Sequence, residues 1–368
     1  MTIDRYQDPE IRSILSKTAQ TRRWFEVEAA WLAARFNVEI PIPTDFTGLA
    51  IAATHREQVH GHDVLAFVET VGNRWPDEHW ATHQFHYGLT SSDVVDTAES
   101  LMIRELSHVL TARILDVHMQ LLRLTAQATG YCWTTTHGRQ AEPMIVGNQF
   151  HIWGHRCKDL AAQLAAGSLD NAEGRFRGPA GSDGRPGTAE RVACARLHLE
   201  PATACFQALN RETRATWHHA VASGLAVLDG LAHHLKRWIC EERDGFLQLE
   251  WDGGVPSSSM IKRNPTTLER VHGLSALFAS MQSAALHVVP MWDEREIAHS
   301  SVDRILHESG AHWFAFAASS IEQVLSRCSV VPGLETRPVS SFASTHNLIT
   351  NNGMTRAQAR EEVSKATP

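Results

Sequence analysis

The stretch "VPSSSMIKRNP" (255–265) interrupts a largely helical pattern with residues too polar for a core. Three hydroxyls, on Ser257, Ser258 and Ser259, precede Lys262 and Asn264, which sets a base, a cation and an amide donor on one loop. Pro265 suits the first turn of a following helix, whose N-terminus favours an anion. A loop of this kind can close over a substrate and exclude water. The plainer alternative is a solvated serine-rich loop.

Other connecting stretches carry comparable chemistry. "TTTHGRQAEP" (134–143) sets His137 beside Gly138 between two helical runs. Histidine titrates near neutral pH, as a general acid must, although many loop histidines are inert. "HYGLTSSDVVDT" (86–97) places His86, Thr90 and Ser91 ahead of a helix. That composition suits a carboxylate or phosphate cradle and equally an ordinary N-cap. In "EREIAHSSVDR" (294–304), Arg295, Ser300 and Arg304 offer bidentate phosphate recognition, unless Glu294, Glu296 and Asp303 hold the arginines in ion pairs. "FRGPAGSDG" (176–184) packs three glycines into seven residues, for close backbone approach to a ligand or for a plain turn.

Long helices must position these stretches. From Ser92 to Ala128, residues including Leu101, Leu106, Leu110, Leu115, Met119 and Leu122 recur every three to four positions, with no proline. Such a helix extends about 55 Å, more than a small domain needs. Comparable runs cover 147–169, 211–249, 266–289 and 299–330, and a short helix is expected over 356–366. Strand signal is weak, with "HVVPMW" (287–292) reading as extended. The predicted fold is all-α, a long-helix bundle. We expect an N-terminal helical domain over 1–91, the bundle over 92–330 and a small C-terminal domain over 331–368.

Composition narrows the function classes. With 43% hydrophobic and 20% charged residues, the chain reads as a soluble globular protein. A net charge of −7 gives no footprint for nucleic acid. No run of 18 apolar residues predicts a membrane span, and the N-terminus lacks a signal-peptide pattern. Six scattered cysteines without a CxxC pair suit a reducing compartment, so a cytoplasmic location is expected. Histidine is frequent, at 22 residues, but we find no metal-ligand spacing and expect no metal site.

Taken in order, "RYQDPEI", "HDVLAF", "HYGLTSSDVVDT", "THGRQAEP", "GPAGS", "SSSMIKRNP" and "WDEREIAHSSVDR" resemble the fumarase/aspartase superfamily, most closely its adenylosuccinate lyase family. The likeness runs from about Arg5 to Arg304. It implies an α-helical homotetramer with active sites shared between subunits, and a β-elimination that releases fumarate from an N-succinyl compound without metal or organic cofactor. By the same resemblance Ser257 is the base and His137 the general acid, with Glu269 orienting that histidine. Lys262 and Asn264 would bind the substrate carboxylate, with Lys262 also stabilising the serine alkoxide. Thr90, Ser91 and Gln207 match succinyl-binding positions, and His62 and His86 match histidines that position the substrate. Arg5, Tyr6, Arg295, Ser300 and Arg304 match the set that holds a nucleotide phosphate.

The chain also departs from the family pattern. Pro256 replaces a glycine, and the loop between Met260 and Lys262 is one residue short, which leaves Ser258 and Ser259 open as alternative bases. Thr135 replaces an arginine, and the C-terminal domain is abbreviated. Three readings follow: the adenylosuccinate-cleaving activity itself, a specialised relative cleaving another N-succinyl compound in secondary metabolism, or a helical assembly protein without turnover.

Overall fold

The computed structural model describes residues 3–75, 79–170, 172–181, 186–241, 245–258, 260–333 and 353–366. In chain order the elements are α1 (Pro9–Ile14), α2 (Lys17–Phe36), α3 (Phe46–His60), α4 (Asp63–Gly72), α5 (Trp80–Gln84), α6 (Ser91–Gln127), β1 (Tyr131–Thr136), β2 (Arg139–Ile145) and α7 (Gly147–Asp170). There follow β3 (Glu173–Gly174), α8 (Thr188–Arg196), β4 (Glu200–Pro201), α9 (Arg211–Cys240), β5 (Leu249–Trp251), β6 (Val255–Pro256) and β7 (Arg263–Asn264). The last are α10 (Thr266–Met281), α11 (Ser283–His287), α12 (Ala298–Ser326), β8 (Cys328–Val330) and α13 (Arg356–Ala366). The fold is all-α, with strands only in two-stranded ladders among the described residues. No described helix is long and apolar enough to cross a membrane.

The long helices form because their buried positions keep helical period. In α9, Trp217, Val221, Leu225, Leu228, Leu231, Leu235 and Trp238 are buried at steps of three and four. A second face of α6 behaves differently, since Leu115, Met119 and Leu122 share a stripe and stay exposed. By contact the chain divides into two units interleaved in sequence. Unit 1 comprises Met1–Arg113, Leu160–Ala226 and Gly273–Ala317, and unit 2 comprises Ile114–Asp159, Val227–His272 and Ala318–Pro368.

Within unit 1, an aromatic core joins α2 to the loops that carry polar motifs. Trp31 stacks on Phe176 with centroids 5.5 Å apart, and its indole N–H donates to the Tyr87 carbonyl at 2.8 Å. Trp24 and Phe67 meet edge to face at 5.4 Å. Each aromatic contact adds about 0.5–1.5 kcal/mol beyond area burial, so the "HYG" and "FRG" segments are held from below by rigid rings.

Several expectations from sequence are corrected. "HVVPMW" forms no strand: α11 ends at His287, and Pro290 prevents the helix from continuing. The run expected over 211–249 stops as helix at Cys240, and that over 299–330 at Ser326. Their apolar tails instead pair as antiparallel strands, Leu249 with Val330 and Trp251 with Cys328, burying Leu249 and Cys328. The expected 266–289 helix breaks at Gln282 into α10 and α11. "TTTHGRQAEP" is no simple connection but most of the β1–β2 hairpin. The helix expected over 356–366 is present, whereas residues 334–352, with the "THNLIT" stretch, lie outside the described residues.

Helix contacts in unit 1 are close enough to make Gly224 a steric requirement. A Cβ there would sit 2.4 Å from Phe314 and 3.0 Å from Leu160, and Phe314 is fully buried. Helix propensity favours Gly224→Ala by about 1 kcal/mol, but overpacking costs about 1–3 kcal/mol. The substitution should therefore lower the thermal midpoint. A raised midpoint in a calorimetric scan would mean that the helices separate freely at this point.

Candidate functional site

In unit 1, the "GLTSSD" turn is fixed by one carboxylate. Asp93, at the third position of α6, accepts the Thr90 N–H at 2.9 Å, half of a capping box. It also accepts the Gly178 N–H at 2.9 Å and the Arg177 N–H at 3.1 Å, and it pairs with the Arg175 guanidinium. Burial pushes the Asp93 carboxyl up to about 6, although Arg175 and these N–H groups favour its charged form. Arg175 in turn donates to the carbonyls of Phe206 and Gly178. Thr90, Ser91 and Gln207 are thus anchored to one buried pair, with the Gln207 N–H held at 2.7 Å by Glu294.

The glycines of "FRGPAG" lie in and beside a turn that is packed closely against other protein segments. Gly178 (φ +70°) lies where a Cβ would be 2.8 Å from the Gly88 carbonyl oxygen. Gly181 (φ +58°) lies where a Cβ would collide with the Phe206 carbonyl. The Ser182–Gly184 remainder lies outside the described residues.

His86 adopts a left-handed backbone (φ +64°), unusual for a residue with a side chain. The fully buried Glu28 stabilises it twice, accepting its N–H at 3.1 Å and its Nδ1–H at 2.6 Å. Burial works against a charged ring, but the Glu28 hydrogen bond and charge, with a smaller contribution from Asp93, outweigh it and raise the His86 pKa. Nε2 remains as the ring's second nitrogen for a ligand.

Unit 1 also brings His62, Ser91 and Arg304 into one neighbourhood. His62 caps α4, its Nδ1 accepting the Leu65 N–H, while its Nε2 lies 3.4 Å from the Ser91 hydroxyl. The adjacent Asp63 meets Arg304 at 3.5 Å. Ser300 lies one turn before Arg304 on α12. Arg295 is exposed and reaches the Pro179 carbonyl at 3.4 Å. Arg5 is exposed, and Tyr6 packs edge-on against Phe316 at 5.1 Å.

The acids that might have neutralised these arginines are engaged elsewhere. Glu294 accepts the Phe206 and Gln207 N–H groups, and Glu296 caps Trp292. Asp303 lies between Arg214 and His218 in a buried cluster completed by Glu99, Asp96 and His307. Burial lowers the pKa of both His218 and His307; burial would raise that of Asp303, but its contacts with His218, His307 and the Arg214 guanidinium hold the carboxyl below the ordinary range.

Unit 2 carries the residues expected to do the chemistry, on two hairpins. His137 (φ +52°) and Gly138 (φ +75°) form the turn between β1 and β2. Two successive positive φ values give the type I′ geometry that suits a right-twisted hairpin. His137 is exposed at its tip. In the second hairpin, Val255 pairs with Asn264 and Pro256 with Arg263, and the Ser257 N–H donates to the Lys262 carbonyl at 3.0 Å. That bond brings the backbones of the expected serine and lysine together. Ser258 and Lys262 are exposed; Ser259 lies outside the described residues. Glu269, in the first turn of α10, pairs with Lys236 at 3.5 Å rather than with His137. Thr135, where the family pattern has an arginine, meets Arg237 at 3.5 Å through its hydroxyl. Burial pushes Cys157, Cys194 and Cys328 up to about 12, which removes them as nucleophiles.

Sequence reasoning passed over the residues that hold the site: Glu28, Asp63, Arg175 and, as more than a helix-terminal charge, Asp93. A carboxylate three residues after Thr90 was the available signal for Asp93. Nothing local marks Glu28 or Arg175, whose partners lie 58 and 82 residues away.

Among known proteins, the chain is 31% identical to adenylosuccinate lyase of Synechocystis sp. over 326 residues, 82% of this chain and 72% of that protein. It is 30% identical to adenylosuccinate lyase of Thermotoga maritima over 320 residues, with the same coverage of each chain. Among solved structures, a fumarate lyase from Mesorhizobium sp. superposes with a TM-score of 0.77 at 20% identity, over 99% of this chain and 86% of that one. The 3-carboxy-cis,cis-muconate lactonizing enzyme of Pseudomonas putida gives 0.75 at 16%, over 98% and 85%. These two likenesses concern the fold. No family model matches the chain.

The Glu28 clamp makes a pH prediction. With its folded pKa raised, His86 contributes stability that is complete below its unfolded value near 6.5 and is lost as pH rises through the higher folded value. Glu28→Gln should move the His86 titration, followed by NMR, to lower pH and remove this contribution. An unchanged titration in a folded variant would show that the carboxylate does not control the ring.

Proposed function

The chain belongs to the adenylosuccinate lyase family and is a fumarate-releasing carbon–nitrogen lyase; we propose that its substrate is an N-succinyl nucleotide, adenylosuccinate first, split to AMP and fumarate. In the proposed reaction, Ser257 removes a proton from the succinyl CH2. The C–H electron pair moves into the neighbouring carboxylate, giving an aci-carboxylate. That electron pair returns to form the fumarate double bond as the C–N bond breaks, and His137 protonates the departing nitrogen. Lys262 and Asn264 hold the carboxylate as charge builds, which is where electrostatic stabilisation contributes most. Thr90, Ser91 and Gln207 bind the succinyl group; His62 and His86 position the substrate.

One observation carries the nucleotide reading: Arg295 and Arg304 flank Ser300 without a committed carboxylate. The Arg304–Asp63 pair is 3.5 Å long, with Arg304 71% exposed, and exposed pairs of this kind contribute about 0–1 kcal/mol. A phosphate that accepts charge-assisted hydrogen bonds from both arginines competes well with such contacts. Arg5 and Tyr6 complete the proposed set.

We further propose a homotetramer. The exposed Leu115–Met119–Leu122 stripe supports it, as does the pairing of Glu269 with Lys236 within one chain, which leaves His137 to be oriented by a neighbouring copy. A second reading, a specialised relative acting on another N-succinyl compound, is favoured by the short loop, whose Pro256 is paired into a ladder with Arg263.

Fumarate release from adenylosuccinate, read by ultraviolet absorbance, tests the proposal; turnover of about 1 per second or more is expected. Inactivity of a folded tetramer would transfer the case to the second reading. Ser257→Ala should lower kcat by a factor of about 10² or more with an unchanged melting point. Full activity of that variant would move the base to Ser258 or Ser259. Arg304→Ala should raise KM for the phosphorylated substrate by about tenfold or more, without affecting a substrate that lacks the phosphate. Equal effects on both would assign Arg304 a structural role.

A further inference from the structure

Helices α9 and α10 bring three metal-ligating side chains to one point. Asp229 and His233 lie four residues apart on α9, so they share a face, and His272 projects from α10. His272 Nδ1 is 3.1 Å and 3.0 Å from the two Asp229 carboxylate oxygens and 3.3 Å from His233 Nε2. His233 Nε2 is 3.4 Å from Asp229 Oδ1, which closes the triangle.

Hydrogen bonding alone does not account for this arrangement. If both ring nitrogens donate to Asp229, two N–H groups face each other across 3.3 Å. If one donates to the other ring, that single proton must be shared with the carboxylate, and where His233 is the acceptor its lone pair faces an Asp229 oxygen at 3.4 Å. A cation at the centre of the triangle uses all three lone pairs at once. The distances agree with that geometry: zinc–ligand bonds of about 2.0–2.1 Å at tetrahedral angles put ligand atoms about 3.3–3.4 Å apart.

We propose that Asp229, His233 and His272 form a binding site for a divalent transition-metal ion of the zinc class, linking α9 to α10. Two imidazoles and one carboxylate select a borderline ion over Mg²⁺ or Ca²⁺, which prefer all-oxygen sites. The side chains of His233 and His272 are 55% and 58% exposed, which leaves room for water at the fourth position, while Asp229, 18% exposed, is already positioned. Glu269, one of the proposed lyase residues, lies one turn before His272 on α10 and pairs with Lys236, one turn beyond His233. The i, i+4 spacing "DGLAH" (229–233) was its sequence signal, passed over in the expectation of no metal site. The third ligand, 39 residues from His233, has no local mark.

The test uses the full-length, untagged protein stripped with a chelator. Zn²⁺ is titrated in competition with a chromophoric chelator, and Co²⁺ binding is followed by visible absorption. The proposal expects one equivalent per chain with the intense spectrum of a four-coordinate Co²⁺ site. His233→Ala and His272→Ala should each weaken that equivalent by at least about tenfold, the size of effect that outer-sphere changes alone produce. Both histidines are exposed, and circular dichroism checks each variant's fold. A His151→Ala/His155→Ala variant removes an exposed histidine pair on α7, whose Nε2 atoms are 3.1 Å apart, and should keep the equivalent. Zinc binding that is unchanged in the His233→Ala/His272→Ala double variant, or lost instead with His151 and His155, would overturn the assignment.

Discussion

The buried Asp93–Arg175 pair is the constraint on which unit 1 depends. Neither side chain is exposed, and a lone charge at that depth would cost several kcal/mol. Forming the pair therefore commits everything bonded to it. Asp93 holds the Thr90, Arg177 and Gly178 N–H groups, and Arg175 holds the Phe206 and Gly178 carbonyls. Breaking such a pair costs about 3–5 kcal/mol, a large part of the 5–15 kcal/mol that typically separates folded from unfolded chains. The turn before α6, the glycine-rich segment after β3 and the loop before α9 are consequently set together.

The same logic explains which charged groups are free for a ligand. Where acids are buried they are already bound: Asp303 to Arg214 and His218, Asp96 to Arg211 and Arg214, Glu28 to His86. These pairs contribute rigidity and give up reactivity. The exposed arginines 295 and 304 make weak contacts, so their charge remains available. Glu28 belongs to both classes, since its buried carboxylate acts through a half-buried ring.

Unit 2 works by local geometry instead. His137 owes its place to a two-residue turn, and Ser257 and Lys262 meet through one backbone bond that closes a hairpin. Such elements need little core to define them, which suits residues exposed at hairpin tips and loops. The α9–α10 seam is likewise polar and exposed, held by Lys236–Glu269 and by the Asp229, His233 and His272 group.

Helix class and the extents of α6 and α7 were legible in the sequence, because burial of one face imposes a 3.6-residue period that any reader of the chain can count. The motif order was legible as well, and with it the family. Two-residue ladders such as β6–β7 were not, since a pair of residues carries no periodicity. "HVVPMW" misled because adjacent valines favour a strand, yet among the described residues no strand pairs with them. Where apolar runs outlast their helices, at Leu249 and Cys328, pattern alone cannot distinguish strand from helix. The tertiary structure decided what depends on distance: Glu28 beneath His86, Arg175 beneath Asp93, Arg304 beside Asp63, His272 beside His233. Each is a contact between residues far apart in the chain, and such contacts leave no trace in local spacing because only the folded backbone brings them together.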